Sequence, residues 1–381
     1  MSFKTNAAAL VACMLALGVA WMPQDASAQE GACSVSPPLQ QTALPRPIPL
    51  GVSGGNIHSL LRRKNSGKVK GCFSGTLGSM VEDGDGTEFI LSNNHVLAHQ
   101  NKAVPGQRVI QPGLVDIGCL KGHGNAVATF SSTIDLKFGG TAANTVDAAI
   151  AEVDPGDVSP EILFIGGIAD STAAATIGMP VQKMGRTTCL TTGTVAGLGV
   201  HVTVNYSDRI RPKLAKFVGQ ILVTGSVATP TFGAAGDSGS LIVTNTGCPQ
   251  AVALLFAGTT GGLIIANPID KVLNQLSVSM VGTCSDAVAP PAQADLEAQG
   301  MGLTAAVVES ASAVRDRHES ALMSIAGAVG TGIGASDQEA GQPAIKVYLD
   351  KVTPEAQAAA PKTVEGLPVE LVETSGGFNA L

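Results

Sequence analysis

One short glycine-rich stretch constrains the chain more than any other part of its sequence. Residues 233–240 read Gly-Ala-Ala-Gly-Asp-Ser-Gly-Ser and run directly into the apolar residues 241–243. This order places Ser238 in a turn just before a buried strand, which is the setting of a nucleophilic serine. Glycines at 236 and 239 permit backbone conformations that other residues resist. The backbone N–H groups of Gly236 and Ser238 are therefore candidates for an oxyanion hole.

A nucleophilic serine needs a base, and His95 is the strongest candidate. It lies in the segment 88–97, Glu-Phe-Ile-Leu-Ser-Asn-Asn-His-Val-Leu, where an apolar strand ends in polar residues. Taken alone, this pattern is equally typical of a half-buried structural histidine. The other histidines lie in Gly-rich or basic segments, a polar run, an alternating strand or a helical pattern: His58, His123, His99, His201 and His318.

The acid that would orient the histidine is best assigned to Asp147, in the segment 144–151, Asn-Thr-Val-Asp-Ala-Ala-Ile-Ala. It interrupts an apolar, strand-like run between the histidine and the serine. A buried carboxylate is costly unless a polar group pairs with it, and an imidazole N–H is such a partner. Asp135 is the second choice, because the neighbouring Lys137 and the alternating pattern suit an exposed strand position.

The chain order histidine, aspartate, serine is that of chymotrypsin-like proteases. Several separated strings occur in the same order: Leu-Ser-Asn-Asn-His-Val-Leu at 91–97, Gln-Pro-Gly at 111–113, Val-Asp-Ala-Ala-Ile at 146–150, Lys-Met-Gly-Arg-Thr-Thr at 183–188, Gly-Asp-Ser-Gly-Ser-Leu-Ile at 236–242 and Leu-Leu-Phe-Ala-Gly at 254–258. With these strings the chain resembles the bacterial secreted trypsin-like serine peptidases related to the plant NARROW LEAF protein.

The resemblance implies a two-barrel serine peptidase fold over roughly residues 50–281, with His95, Asp147 and Ser238 at the family's catalytic positions. It also implies that two segments, 232–235 and 256–262, line the primary substrate pocket, with Phe232, Phe256 and Gly258 as candidate pocket residues. Neither segment carries an acidic residue, so we expect a preference for apolar or small side chains. The two phenylalanines are equally well interpreted as core residues. The chain departs from the family at Cys189, where glycine is frequent, and we expect a disulfide there.

The composition favours a mainly β fold. With 46 Gly, 21 Pro and few aromatic residues, the central region consists of short Val-, Thr- and Ile-rich segments between turn residues. Such a pattern favours barrels or sandwiches over a parallel α/β sheet. Together with the resemblance, it predicts a two-barrel, chymotrypsin-like peptidase domain over 51–281. The net charge of −7 and the lack of a basic run argue against nucleic acid as the main partner.

The N-terminus predicts export. Lys4, an apolar stretch and Ala-Ser-Ala at 26–28 are typical of a secretory signal peptide over 1–28, followed by an extension over 29–50. The apolar stretch is too short for a convincing membrane span. We expect a secreted or periplasmic protein. Tethering through a lipid on Cys13 is a weaker alternative, because only a few apolar residues precede that cysteine.

The cysteines predict disulfides. Removal of the signal leaves an even number, which permits up to three bridges whose pairing the sequence does not decide: Cys33, Cys72, Cys119, Cys189, Cys248 and Cys284. No two of them have the short spacing of a zinc knuckle. We therefore expect no metal and no cofactor.

A second unit follows a linker at 282–294. Within 295–381, apolar residues and one histidine recur at helical spacing and predict an amphipathic helix: Val307, Ala311, Val314, His318, Leu322 and Ile325. Strands are expected at 329–334, 344–349 and 367–372, with a short helix after 353–354. The unit is predicted to be a small α+β accessory domain without catalytic residues, which docks substrate, inhibits the active site in cis or stabilises the fold.

Three functions are consistent with these residues. The first is an exported serine endopeptidase that acts on proteins or peptides through an acyl-enzyme intermediate. The second is a catalytically silent peptidase scaffold that binds a protein partner, since fold does not guarantee activity. Its main support is the lack of a recognisable activation site, although Asp237 can be satisfied by local backbone donors instead. The third and weakest is an esterase, suggested by the Gly-Asp-Ser string. Oligomeric state stays open.

Overall fold

The computed structural model describes residues 33, 36–62, 66–139, 142–207, 213–284 and 303–381. The predicted signal peptide and most of the predicted linker lie outside the described residues. Strands dominate the described part, which confirms the prediction of a mainly β fold. A short 3-10 helix at Leu39–Gln41 precedes the first strand.

The first part of the chain contains twelve strands and one short helix. In chain order these are β1 (Ile48–Leu50), β2 (Val52–Asn56), β3 (Leu60–Arg62), β4 (Val69–Cys72), β5 (Gly75–Leu77), β6 (Ser79–Glu82), β7 (Glu88–Ser92), α1 (Asn94–Leu97), β8 (Arg108–Gln111), β9 (Asn125–Thr133), β10 (Ala143–Asn144), β11 (Ala149–Val153) and β12 (Val158–Ile162).

Seven of these strands close into an antiparallel barrel of six positions, because β5 and β6 together occupy one position. Strand β2 pairs with β5 and β8, β8 with β9, β9 with β11, β11 with β7, and β7 with β6. Only Gly78 separates β5 from β6, so these two form one bent strand that closes the ring. Strands β2, β5, β7 and β11 contribute apolar residues to one buried core cluster, including Leu77, Ile90 and Leu91, all fully buried.

The middle part forms a second barrel. Its elements are β13 (Pro180–Gly185), β14 (Cys189–Asn205), β15 (Leu214–Gly225), β16 (Leu241–Thr244), β17 (Ala251–Gly258), β18 (Ile264–Pro268), α2 (Ile269–Leu276) and β19 (Ser279–Met280). The antiparallel order β15-β18-β17-β16-β13-β14 closes on itself, because β14 also pairs with β15. The predicted two-barrel architecture is therefore confirmed by the strand pairings themselves.

The C-terminal part comprises α3 (Ala305–Leu322), β20 (Ala328–Ala335), β21 (Pro343–Leu349), α4 (Pro354–Ala359), β22 (Thr363–Val364), β23 (Leu367–Glu373) and β24 (Phe378–Ala380). The strands and helices predicted for this region are present. Strand β20 pairs with β14 of the second barrel, so the sheet of this unit continues the barrel's own sheet. The division of the chain at 282–294 stays a prediction.

The buried face of α3 differs from the predicted one. The sequence pattern places Val307 and His318 on the apolar stripe, whereas Val307 is 37% exposed and the His318 side chain is 39% exposed. Ala311 and Leu322 are buried as predicted, but Val308 and Arg315 are buried in place of Val307 and His318. Arg315 is tolerated there because Nη1 donates to the Gly199 carbonyl at 2.6 Å and Nε pairs with Asp316 at 2.7 Å.

Three disulfides link the six cysteines that remain after the predicted signal: Cys33–Cys189, Cys72–Cys119 and Cys248–Cys284. The expectation of a disulfide at Cys189 is confirmed. This bridge ties the N-terminal extension to the start of β14, across 156 residues of sequence. Closing loops of this kind stabilises a fold by about 2–4 kcal/mol per bridge, chiefly by restricting the unfolded chain.

Candidate active site

His95 and Asp147 meet where two paired strands end. Ala149 of β11 lies opposite Ser92 of β7 in the antiparallel register, so continuing both chains brings Asp147 beside the start of α1, where His95 lies. The His95 Nδ1 atom is 2.7 Å from Asp147 Oδ2, and the His95 backbone N–H donates to Asp147 Oδ1 at 3.3 Å. The second choice, Asp135, is exposed.

Asp147 is fully buried, and a tyrosine completes its surroundings. The Tyr206 hydroxyl, just beyond the end of β14, donates to Asp147 Oδ2 at 2.6 Å. Burial, together with the negative charge of Asp147 and this hydrogen bond, raises the pKa of Tyr206 well above its ordinary value. The raised pKa keeps the Tyr206 hydroxyl protonated, and it is therefore a hydrogen-bond donor to the carboxylate.

The backbone of Asp147 is held as firmly as its side chain. Its N–H donates to Asn267 Oδ1 at 3.0 Å, and its carbonyl accepts from Asn93 Nδ2 at 2.7 Å. Asn267 belongs to β18 of the second barrel. The aspartate is therefore positioned by both barrels, and its orientation towards His95 is determined before any substrate binds.

Ser238 lies in the turn before β16 and is pressed against the first barrel. The Thr76 N–H donates to the Ser238 carbonyl at 2.8 Å, and the Gly239 N–H donates to Leu255 O at 2.9 Å. Gly239 has φ +94°, and a Cβ there would lie 2.1 Å from Ser92 Oγ. A Cβ at Gly78 would lie 2.0 Å from Gly239 O. Both glycines are needed because the serine turn and the first barrel touch backbone to backbone.

Asp237, the residue before the serine, is fully buried and fully paired. Its Oδ1 accepts from the Thr187 N–H at 2.7 Å, and its Oδ2 accepts from the Ala234 N–H at 2.9 Å and from Thr188 Oγ1 at 2.7 Å. The local backbone donors expected for Asp237 are present. A buried cation, Lys183, adds to them with its Nζ 3.8 Å from Oδ2.

Lys183 is itself buried beneath the serine turn. Its Nζ donates to Thr188 Oγ1 at 2.6 Å and to the Cys189 carbonyl at 2.9 Å. Burial lowers the pKa of this ammonium group, and the charge of Asp237 opposes that effect. Lysine and aspartate thus form an internal ion pair in the second barrel, and a free N-terminus is not needed to neutralise Asp237.

The two predicted oxyanion-hole amides are free of protein acceptors. Within the part of the chain that the structure describes, neither the Gly236 N–H nor the Ser238 N–H donates a hydrogen bond. Gly236 has φ +103°, and a Cβ there would meet Thr187 Oγ1 at 2.4 Å. Its carbonyl accepts from Thr76 Oγ1 at 3.0 Å, which holds the peptide in one orientation. These amides are therefore available to an oxygen of a bound acyl group.

Ser238 and His95 converge on one oxygen atom. The carbonyl oxygen of Leu381, at the end of the described chain, accepts a very short hydrogen bond from Ser238 Oγ. The same oxygen is 3.2 Å from His95 Nε2. Ser238 Oγ is also 3.2 Å from the Phe256 carbonyl. The structure thus brings all three predicted catalytic residues together at the main-chain carbonyl oxygen of Leu381.

The three predicted pocket residues lie in different settings. The side chains of Phe232 and Phe256 are fully buried, and the Phe256 ring packs on Phe217 with centroids 4.6 Å apart. Gly258 lies against the side chain of Leu381, because a Cβ added at Gly258 would be 3.0 Å from Leu381 Cδ1. The assignment of all three to a substrate pocket stays a prediction.

One cluster of possible metal ligands lies away from this site: His201, Asp316 and Glu319. His201 Nδ1 is 2.8 Å from Glu319 Oε1, and Lys216 Nζ is 3.7 Å from the same oxygen. Burial and the charge of Arg315 lower the pKa of His201. The nearby Arg315 and Lys216 already supply positive charge to this cluster, so it is poorly suited to a cation.

Sequence reasoning missed Tyr206, Lys183 and Asn267 as parts of the site. Lys183 lay within one of the motif strings, and its placement in an apolar strand was a usable signal, since a lysine is rarely fully buried without a partner. Tyr206 and Asn267 carry no such signal. They reach Asp147 from β14 and β18, 59 and 120 residues further along the chain.

Comparison with known proteins gives remote structural similarities. No protein-family model and no curated protein sequence matches the chain. A glutamic-acid-specific serine protease, described as using a histidine triad in substrate binding, is 21% identical with a TM-score of 0.39, over 61% of this chain and all of that one. Protease A of Thermobifida fusca is 19% identical with a TM-score of 0.38, over 56% and 94%. Cellulomonas bogoriensis chymotrypsin is 18% identical with a TM-score of 0.37, over 62% and 99%.

Proposed function

We propose that this protein is a serine endopeptidase with the triad His95, Asp147 and Ser238. The observation that carries the proposal is the convergence of Ser238 Oγ and His95 Nε2 on one main-chain carbonyl oxygen, with Asp147 bound to the opposite ring nitrogen. Serine, histidine and aspartate thus lie in the order in which a nucleophile, its general base and the group that orients the base act in acyl transfer. The small separation between nucleophile, base and carbonyl makes a purely structural role for all three a poor explanation.

In the proposed reaction, Ser238 Oγ attacks the substrate carbonyl carbon while His95 Nε2 takes the hydroxyl proton. Asp147 keeps the proton on His95 Nδ1 and stabilises the imidazolium that forms. The N–H groups of Gly236 and Ser238 bind the oxyanion of the tetrahedral intermediate. His95 then protonates the leaving amine, and water repeats the sequence to release the acyl group from Ser238.

We further propose that the protein acts outside the cytosol. Three disulfides fit an oxidising compartment, and the predicted signal peptide at 1–28 supports the same location. Among the described residues, no helix combines the length and apolar character that a membrane crossing requires. Detection of the protein in periplasmic and culture fractions tests this proposal.

Covalent labelling with a fluorophosphonate probe tests the enzyme proposal. We expect the probe to modify Ser238 alone, as mapped by peptide mass spectrometry, and Ser238→Ala to remove all labelling. Ser240→Ala is a matched control, because Ser240 Oγ is buried and bound to the Asp237 carbonyl at 2.7 Å. The same labelling is done on a variant without residues 378–381, because Leu381 lies against Ser238. A folded variant that still resists labelling would instead favour the silent binding scaffold.

A further inference from the structure

The last strand of the chain runs into the candidate active site as a bound peptide would. Strand β24 pairs antiparallel with β17, with Ala380 opposite Ala257 and Asn379 opposite Gly258. The Leu381 N–H then donates to the Phe256 carbonyl at 3.2 Å. An extended segment that adds itself to a sheet edge is a recurrent mode of peptide recognition, in which main-chain bonds supply affinity and side-chain pockets supply specificity.

The register delivers one particular carbonyl group to the nucleophile. Because β24 runs along β17 towards Ser238, its next residue, Leu381, places its carbonyl oxygen against Ser238 Oγ and His95 Nε2. Residues 378–380 then lie on the acyl side of the position under attack. Leu381 therefore occupies the position of the residue on the acyl side of the cleaved bond, with its carbonyl oxygen bonded by Ser238 Oγ rather than by the Gly236 and Ser238 amides.

The Leu381 side chain lies in an apolar setting. It packs against the cluster of the second barrel that contains Phe232, Leu255 and Ile264. A Cβ added at Gly258 would lie 2.7 Å from Ile264 Cδ1 and 3.0 Å from Leu381 Cδ1, so the glycine leaves room for a branched side chain beside it. These contacts suit leucine and offer no partner for a charged group.

Three residues upstream, Phe378 occupies a second apolar pocket. It is 2% exposed and packs in one cluster with Phe217 and Phe256 of the barrel. Its ring lies edge-on to Tyr348 of β21, with centroids 5.8 Å apart. Asn379 lies between the pockets, and its Oδ1 accepts from Asn205 Nδ2 at 3.3 Å. The C-terminal unit therefore supplies both the occupant and one wall of its pocket.

A sharp turn directs the segment into the cleft. Ser375, Gly376 and Gly377 all have positive φ, at 53°, 118° and 73°, which reverses the chain after β23. The Gly377 N–H donates to Thr374 Oγ1 at 3.1 Å, and Thr260 Oγ1 donates to the Ser375 carbonyl at 2.8 Å. The turn is thus bonded both to its own unit and to the second barrel.

We propose that Phe378–Leu381 is a substrate-like inhibitor bound in cis, and that its sequence reports the preferred substrate. The enzyme then cleaves after leucine in peptides that carry an aromatic residue three positions before that leucine. Its cleft is closed to other peptides until this segment leaves. The inference rests on the proposed peptidase function, and the experiment below separates the two.

The test compares the full chain with a variant that lacks residues 378–381, using succinyl-Phe-Asn-Ala-Leu-p-nitroanilide. We expect the truncated protein to hydrolyse this substrate at least about tenfold faster than the full chain. We expect kcat/KM to fall by about a hundredfold when arginine replaces the leucine, and by about tenfold when alanine replaces the phenylalanine, as apolar pocket contacts dictate. Equal rates for the full and truncated chains, or equal rates for leucine and arginine substrates, would overturn the inference.

The truncation removes Phe378, which is part of the core, and could therefore unfold the protein. A second variant separates loss of folding from opening of the cleft. Leu381→Glu keeps Phe378 in place and puts a carboxylate into the apolar pocket, so we expect it also to open the cleft, with an unchanged thermal midpoint. Added acetyl-Phe-Asn-Ala-Leu should inhibit the truncated variant, in which both pockets are vacated, and acetyl-Phe-Asn-Ala-Arg should not. Fluorophosphonate labelling of Ser238 in the truncated protein separates the failures: labelled protein without these preferences refutes this inference alone, whereas folded but unlabelled protein refutes the peptidase itself.

Discussion

Two fully buried aspartates, Asp147 and Asp237, flank the candidate site in contrasting ways. Asp147 faces the imidazole of His95 and the hydroxyl of Tyr206, both of which are bonded to its Oδ2 atom. Asp237 faces backbone N–H groups, a threonine hydroxyl and the ammonium group of Lys183. In the proposed reaction Asp147 orients His95, whereas Asp237 holds the shape of the serine turn. The same type of side chain thus has two uses, and the groups bonded to it decide between them.

The largest expected effect is that of Asp147→Asn. The amide keeps the side-chain shape but no longer fixes the correct tautomer of His95, so we expect kcat to fall by about 10⁴-fold with little change in folding stability. Steady-state hydrolysis of the leucine p-nitroanilide by the truncated protein measures kcat, and thermal unfolding measures stability. A loss of stability without a loss of activity would reverse the roles assigned to the two aspartates.

Lys183→Met breaks the other pair. Removal of one partner from a buried ion pair leaves the second charge uncompensated, and we expect a destabilisation of about 3–5 kcal/mol. Because Asp237 directly precedes Ser238, labelling of the serine should fall as well. Urea denaturation measures the free energy of unfolding. A matched control is Lys271→Met, which removes an exposed lysine whose Nζ donates to Gly219 O at 3.3 Å.

Tyr206→Phe sharpens the comparison at Asp147 itself. The substitution removes one hydrogen bond to a buried carboxylate, a contact worth about 1.5–3 kcal/mol, and we expect kcat to fall by about ten- to a hundredfold. The effect should appear in kcat rather than KM, because Tyr206 touches Asp147 and not the bound segment's carbonyl. An unchanged kcat would mean that His95 alone is enough to orient the aspartate.

The smallest expected effect is a pH dependence of Ser238 labelling, which arises from the ion pair of Lys183 with Asp237. Burial lowers the pKa of Lys183 below its ordinary value of 10.5, so Lys183 loses its proton at a lower pH than an exposed lysine does. The pKa of Lys183 is lower in the folded protein than in the unfolded chain, so at pH values between the two the unfolded chain binds more protons. The contribution of Lys183 to the free energy of unfolding therefore rises with pH, although its ion pair with Asp237 is lost. We therefore expect Ser238 labelling to decline on the alkaline side, below pH 10.5, without unfolding.

Lys183→Arg checks the origin of that decline. Arginine stays charged throughout this range, so a variant that folds should keep its labelling to higher pH than the wild type. Circular dichroism at each pH establishes whether the fold persists. A decline at the same pH in both proteins would assign the effect to another group.

Much of the site was predictable because its residues sit in local patterns. The turn chemistry around Ser238, the strand end before His95 and the carboxylate within an apolar run each carry a signal that spans fewer than ten residues. The orientation of α3 was not predictable in this way. Its sequence allows two stripes, and the one with Arg315 is buried because the Gly199 carbonyl of β14 accepts from its guanidinium.

The sequence by itself determined the β-rich class, the identity of the three residues that meet at the site, and the even set of cysteines. Only the tertiary structure decided that Tyr206 and Asn267 hold Asp147, that Lys183 pairs with Asp237, and that Phe378–Leu381 enters the cleft. The reason is physical. Local patterns record the conformation of a segment, whereas these contacts join strands of different barrels or units, and their pairing depends on how closed sheets pack against each other.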